Sequence, residues 1–352
     1  MRAPKRVFIT GATGFVGRHL IEYLAGGCVR SSIQKERRSP DASFEVIGTC
    51  FPERPEHCAD ISDRAPFVNL LYLDLRDGDS VLQAVKNARP EWVFHLAAIS
   101  QVRASWQKRR ETLETNLMGT FNLFEAVRLS APKSAVLYVS SSDVYGQLGP
   151  QKRSRPYREE DRGGIASPYG FTKYAGELLA EFYARTEKLR IIIARPFPHT
   201  GPGQAADFVC SDWARQIALI EAAKSPPDCA PVLRAGNLSP LRDYSDVRDV
   251  VRAYVALIRK GKPGEAYNIC SGRTRSLKEI LRTLLSGSAA KIKVRTDPAK
   301  LRRADIPYLA GFNRKIRRET GWAPLIPLEA TLRDLLQDWR ERIAKSREII
   351  AD

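Results

Sequence analysis

The stretch Val7-Phe8-Ile9-Thr10-Gly11-Ala12-Thr13-Gly14-Phe15-Val16-Gly17 decides the fold. The run Arg6–Thr10 is short and apolar, as strands buried on both faces of a parallel sheet are. The glycines at 11, 14 and 17 follow it directly. Glycine lets the backbone turn tightly, approach a pyrophosphate and aim a helix N-terminus at its charge. A glycine triplet alone is weak evidence; between a strand and a helix it is much stronger. Gly11, Thr13, Gly14, Phe15, Val16 and Gly17 are therefore candidate dinucleotide-binding residues.

Working outward, strand-like runs recur at Glu45–Phe51, Leu70–Leu75, Glu91–Ala97, Ala135–Ser141 and Leu189–Arg195. Helical patterns at Gly14–Ala25, Asp79–Asn87, Glu111–Ser130 and Phe171–Lys188 alternate with them. This alternation predicts an α/β fold with a doubly wound parallel Rossmann sheet. After Arg195 the pattern changes: residues 196–242 hold clusters of Pro and Gly around one helical run near Trp213–Ala223. A helix over Val247–Arg259 and a strand over Ala266–Cys270 read as a return to the sheet. The expectation is a dinucleotide-binding domain over 1–195, completed by about 243–270. A smaller α/β lobe for substrate would use 196–242 and 271–352. The polar stretch Arg30–Ser43 reads as a loop inserted before the second strand.

Composition removes several classes. The 352 residues are 43% hydrophobic and 28% charged, an ordinary globular mix. Lys and Arg number 57 against 40 Asp and Glu, a formal charge of +17 that favours anionic partners. No apolar run approaches the ~18 residues of a membrane span, and the run after the N-terminus is too short for a signal peptide. Six cysteines without CxxC spacing predict reduced thiols and a cytoplasmic protein. Four histidines without ligand spacing argue against a metal site.

Two further signals carry chemistry. In Tyr169-Gly170-Phe171-Thr172-Lys173 the tyrosine and lysine share a helix face one turn apart. Free tyrosine, with a pKa of about 10, is a poor acid–base group at neutral pH. A neighbouring ammonium is expected to lower that value. The other signal is Ser140-Ser141-Ser142-Asp143-Val144-Tyr145-Gly146 at the end of a strand, where ligands bind in open α/β sheets. A hydroxyl there can hydrogen-bond a reacting carbonyl, a role that suits Ser141; serines that merely cap the next turn are the plainer reading, preferred for Ser140.

Together these motifs resemble the extended short-chain dehydrogenase/reductases of the NAD-dependent epimerase/dehydratase family, over nearly the whole chain. Supporting pieces are Asp74-Leu75, His95-Leu96-Ala97-Ala98 and Asn116-Leu117-Met118-Gly119-Thr120. The resemblance implies that Ser141, Tyr169 and Lys173 are catalytic and that Asp74 and Leu75 lie by an adenine. It adds Leu96, Ala97, Ala98, Tyr169, Lys173 and Pro196 to the cofactor contacts. The segments Arg195-Pro196-Phe197-Pro198-His199-Thr200-Gly201-Pro202-Gly203-Gln204, Gly236-Asn237-Leu238 and Arg242-Asp243-Tyr244 are similar to the GDP-mannose branch. They imply a GDP-sugar substrate met by Ser142, His199, Arg215, Asn237, Leu238, Arg242 and Arg302. Where the family usually has Asn, this chain has Pro198, which offers neither a side-chain donor nor a backbone N–H.

Within that branch, 4,6-dehydratases need a base for the sugar C5 proton, and the family supplies a Glu. Here the position holds Asp143, one methylene shorter, and a misplacement of about 1 Å can cost 100-fold. Ser140–Gln147 is closer to the 4-reductases, which move one hydride to a C4 ketone while tyrosine supplies the proton. A reductase of a GDP-4-keto-6-deoxy-hexose is therefore expected. The alternatives are a GDP-mannose 4,6-dehydratase, another nucleotide-sugar epimerase, or a non-catalytic RNA-binding or regulatory protein. Retention of Tyr169 and Lys173 argues against the last. The second strand ends in Thr49-Cys50-Phe51-Pro52 with no carboxylate for a ribose diol, and Arg54 beyond it suits a 2′-phosphate, so NADP is favoured over NAD. The family further implies a homodimer or a multiple of one.

Overall fold

The computed structural model describes residues 4–26, 29–30, 35–36, 44–52, 68–146, 155–161, 164–223, 231–301 and 306–351. Seven strands form one parallel sheet. They are β1 (Lys5–Thr10), β2 (Phe44–Cys50), β3 (Val68–Tyr72), β4 (Trp92–His95), β5 (Ala135–Val139), β6 (Arg190–Pro196) and β7 (Ala266–Ile269). Their spatial order is β7-β6-β5-β4-β1-β2-β3. The order reverses between β1 and β4, which opens a crevice at their carboxyl ends.

The apolar strands read as continuous runs because both faces of the sheet are covered. In β1, Val7 and Ile9 enter one core while Phe8 enters the other. In β6, Ile192 and Ala194 face the first core, Ile191 and Ile193 the second. The first core is closed by α1 (Phe15–Leu24) and α6 (Val247–Lys260) through Leu20, Ile21, Val251 and Tyr254. The second is closed by α2 (Gly78–Ala88), α3 (Gly119–Ser130) and α4 (Pro168–Thr186) through Val81, Val85, Leu123, Phe124 and Tyr183. A third core joins α5 (Val209–Ala222), α7 (Leu277–Ser286) and α8 (Leu328–Ala351) through Trp213, Ile217, Leu281 and Leu335. From the tail, Ile316 and Trp322 pack into the first core.

Several local expectations shift. The third strand lies at Val68–Tyr72, and the fifth stops at Val139; a 3-10 turn over Ser142–Tyr145, capped by Ser141, follows it. α4 begins at Pro168 because Ser167 caps it, its side chain accepting from the Gly170 N–H. The helix expected over Glu111–Ser130 is broken into Arg109–Leu113, a π turn at Glu114–Met118 and α3. Inside Arg30–Ser43 only residues 30, 35 and 36 are described; there Val29–Arg30 and Lys35–Glu36 pair as antiparallel strands rather than a plain loop. One expectation fails outright. Cys50 is disulfide-bonded, its partner outside the described residues, whereas Cys210 and Cys270 are buried thiols. Scattered spacing without CxxC carries no signal of such a pairing.

Candidate active site

The glycine turn sits at the switch point. Gly11 has φ +70°, and a Cβ on it would lie 2.9 Å from Ala97 Cα and N. A Cβ on Gly17 would lie 2.4 Å from the Gly11 carbonyl oxygen. Only glycine fits either position, so backbone rather than side chain lines the end of β1. Gly14 heads α1 with no side-chain cap, which leaves that N-terminus to a ligand.

Around the turn a buried chain of polar groups locks three elements. His95 bonds Thr10 Oγ1 through Nδ1 (2.7 Å) and Thr120 Oγ1 through Nε2 (2.9 Å). Burial, with the charge of Lys173, lowers its pKa to about 3, so the ring is neutral. The Ala97 N–H also donates to Thr10 Oγ1 (3.3 Å), which sets the loop after β4 against the turn. The cofactor candidates Leu96, Ala97 and Ala98 thus stand beside Gly11. Asp74 and Leu75 follow β3, two strands away, and Asp74 takes Nε and Nη2 of Arg76. That guanidinium, by its hydrogen bonds above all, holds the Asp74 pKa below the usual value. Arg54 and Arg302 lie outside the described residues.

Across the crevice lie the catalytic candidates. The Ser141 hydroxyl donates to Asp143 Oδ2 (2.9 Å) and accepts from the Asp143 N–H (3.1 Å). Tyr169 is buried, its N–H bonded to Ser105 Oγ (3.2 Å). Its pKa is raised by burial and by the charge of Asp143, with a hydrogen bond from Ser141 pulling the other way. This reverses the expectation of a tyrosine acidified by its lysine. Burial is the main cause; the Lys173 ammonium itself donates to the Val139 carbonyl (2.7 Å). Burial lowers the Lys173 pKa to about 8, opposed by the charge of Glu177.

The loop at 196–204 reaches back to the glycine turn. The His199 ring stacks on Phe15, 6.2 Å between centroids and 6° from parallel. His19 Nε2 lies 2.8 Å from the Pro202 carbonyl oxygen. Pro196 ends β6, Ser142 is buried in the turn after Ser141, and Pro198 accepts the Ser245 N–H (2.9 Å). Arg242 is buried, and its Nη1 donates to the carbonyls of Leu241 (2.9 Å) and Ile306 (2.6 Å). Asn237 is exposed, its Oδ1 accepting from Ser239; Leu238 packs on the third core; Arg215 is exposed on α5. Phe15 and His199 are thus brought together, whereas Arg215 stands apart on the surface of α5.

Two side chains that the sequence reading did not place in the site hold it together. Asn116 accepts the Ile99 N–H (2.8 Å) and donates to Thr172 Oγ1 (3.1 Å), tying the loop after β4 to the catalytic helix. Its place in Asn116–Thr120 was the available signal. Glu177, four residues beyond Lys173, accepts from Ser140 Oγ (2.5 Å) and from Arg195; its spacing on the helix face was the signal there.

A glycine turn at the switch point, facing serine, tyrosine and lysine across one crevice, is the equipment of an extended short-chain dehydrogenase/reductase. The model of the GDP-mannose 4,6 dehydratase family matches residues 8–335, and the chain belongs to that family. It is 34% identical to GDP-6-deoxy-D-mannose reductase of Pseudomonas aeruginosa, over 96% of this chain and 98% of that protein. It is 27% identical to GDP-mannose 4,6-dehydratase of Yersinia enterocolitica, over 92% and 91%. Among solved structures, RMD from Pseudomonas aeruginosa complexed with NADPH superposes with a TM-score of 0.78 at 32% identity, covering 96% of this chain and 99% of that one.

Proposed function

We propose that the chain is an NADPH-dependent reductase of a GDP-4-keto-6-deoxy-hexose. NADPH, when bound, supplies the hydride to the sugar C4. The protein supplies the rest. Ser141 is placed to hydrogen-bond the C4 oxygen, and Tyr169 to deliver its proton. One observation carries the choice of direction: Asp143 is engaged with Ser141, and burial, with the Asp143 charge second, raises the Tyr169 pKa. A phenol kept protonated is a proton donor, as ketone reduction requires. A carboxylate engaged in that way, and one methylene short, is poorly disposed to take a C5 proton. The 34% identical reductase supports the same reading.

Lys173 holds charge beside the nicotinamide ribose in this reading, and Gly11, Thr13, Gly14, Phe15, Val16 and Gly17 cradle the pyrophosphate. Asp74, Leu75, Leu96, Ala97, Ala98 and Pro196 line the cofactor. Ser142, His199, Asn237, Leu238 and Arg242 face the GDP-sugar, residues 196–242 and 271–352 forming its lobe. Met118, Phe121, Phe171, Leu178 and Phe182, 38–50% exposed between the π turn, α3 and α4, form the face of a homodimer. No helix among the described residues is long and apolar enough to cross a membrane.

The test uses two incubations. GDP-4-keto-6-deoxy-mannose with NADPH should give stoichiometric NADPH loss and a 4-hydroxy product, while GDP-mannose with NADP⁺ should give almost none. Conversion of GDP-mannose to the 4-keto sugar at about 1 per second or faster would make the chain a dehydratase instead.

A further inference from the structure

A cavity of about 510 Å³ opens where Phe51, just after β2, and Arg76, after β3, meet the run Lys108-Arg109-Arg110. Gln107, Glu111 and Glu114 complete its lining. Neighbouring strands in a sheet lie about 4.8 Å apart. The ends of β2 and β3 therefore stand roughly 5 and 10 Å from the glycine turn after β1. A dinucleotide whose pyrophosphate rests on that turn extends its adenosine in this direction.

The lining distinguishes the two nicotinamide cofactors. A ribose 2′-hydroxyl is held by a carboxylate at the end of the second strand, and Thr49-Cys50-Phe51-Pro52 has none. Among the described residues beside it, the acidic candidate Asp74 is occupied by Arg76, with Nη2 2.6 Å from Oδ2. The same guanidinium lies 5.6 Å over the Phe51 ring, so its planar fork is held in place before any ligand arrives. Lys108 and Arg110 pair with Glu111 and Glu114 at 3.0 and 2.9 Å. Arg109 stacks on Trp106, 5.2 Å from its centroid, and has no carboxylate partner among the described residues. The lining's four cations face two carboxylates of its own and, from outside it, Asp74, which leaves one positive charge over.

We propose that this cavity receives the 2′-phosphate of NADPH, with Arg76 and Arg109 selecting it over NADH. The assignment rests on the reading of the chain as a nicotinamide-dependent reductase and adds the residues that choose the cofactor. The Arg76 guanidinium, fixed by Asp74 and standing over the Phe51 ring, brings a permanent positive charge to the cavity for phosphate oxygens. Arg109 supplies the charge that the neighbouring pairs leave uncompensated.

The experiment measures binding without sugar: dissociation constants of NADPH and NADH for the full chain, by quenching of protein fluorescence. Wild type should favour NADPH. Arg76→Gln should weaken NADPH roughly 10–100-fold, the scale of lost charge-assisted hydrogen bonds, and Arg109→Gln roughly 5–20-fold. Neither should change NADH affinity more than about threefold. Glu111→Gln removes a negative charge from the lining and should tighten NADPH, an effect that damage to the fold would not produce. Arg109 is exposed, so its variant remains folded even if loss of the Arg76–Asp74 pair disturbs the other. Equal losses for both cofactors, unchanged NADPH affinity in both arginine variants, or wild-type preference for NADH would each overturn the assignment. Wild type that binds neither cofactor would overturn the reductase reading as well; wild type that prefers NADPH with indifferent variants would overturn only the assignment.

Discussion

Glu177 receives Nε and Nη2 of Arg195 at 2.8 and 2.7 Å, one helical turn beyond Lys173. Both side chains are buried, and the Ser140 hydroxyl completes the carboxylate's shell. The pair lies directly behind the catalytic set and acts on it through charge. Glu177→Gln would strand the buried Arg195, at a cost of about 3–5 kcal/mol in stability. It would also remove the charge that supports the Lys173 proton. The high-pH fall in turnover should therefore move to lower pH, a change that structural damage alone would not cause.

In the unmutated protein burial lowers the Lys173 pKa to about 8. Turnover should decline as pH rises through that value, because the ammonium is lost. Stability should respond in the opposite sense. Between about pH 8 and 10 the unfolded chain still holds a lysine proton that the folded chain has released. This group's contribution to stability therefore rises with pH across the window. Denaturant midpoints and initial rates measured on one pH series check both signs.

Tyr169→Phe should lower ketone reduction at least ~100-fold, the usual scale for a lost general acid. NADPH affinity should be largely kept, since only a hydroxyl is removed. Near-normal turnover would exclude Tyr169 as the proton donor.

Gly17→Ala places a methyl 2.4 Å from one backbone carbonyl oxygen and 2.5 Å from the next. Neither can retreat without opening the turn. A destabilisation of about 1–3 kcal/mol is expected, with weakened binding of both NADPH and NADH. Thermal melting and cofactor titration measure the two effects.

The apolar residues of α3 and α4 predict a two-fold assembly. Sedimentation at micromolar concentration should give a dimer or a multiple of one, and Phe171→Glu with Phe182→Glu should shift it toward monomer.

What could be read in advance follows from how locally each feature is encoded. Val7-Phe8-Ile9 is apolar without alternation because two helical layers need it, so a strand buried on both faces is visible in three letters. Tyr169 and Lys173 share a helix face by spacing alone. The environment of each is another matter. Lys173 turns its ammonium to the Val139 carbonyl, 34 residues away, and burial, joined by the Asp143 charge across a loop, raises the Tyr169 pKa. Neither relation has a local pattern. The π turn at Glu114–Met118 was equally hidden, since one extra residue in a turn leaves the apolar spacing nearly unchanged. Arg195 was quoted in a substrate motif, yet its guanidinium is sealed beneath the site against Glu177.

The stacking of His199 on Phe15 has a kinetic consequence. In the proposed reading, Phe15 opens the helix whose N-terminus faces the pyrophosphate, and His199 begins the loop that faces the sugar nucleotide. A dinucleotide that settles the turn also settles the ring on which that loop rests, so each ligand raises the affinity of the other by the same factor. Saturating cofactor should therefore lower the Kd of the sugar nucleotide, and saturating sugar nucleotide that of the cofactor, by one and the same factor. In Phe15→Ala, with the shared ring gone, that factor should fall toward one.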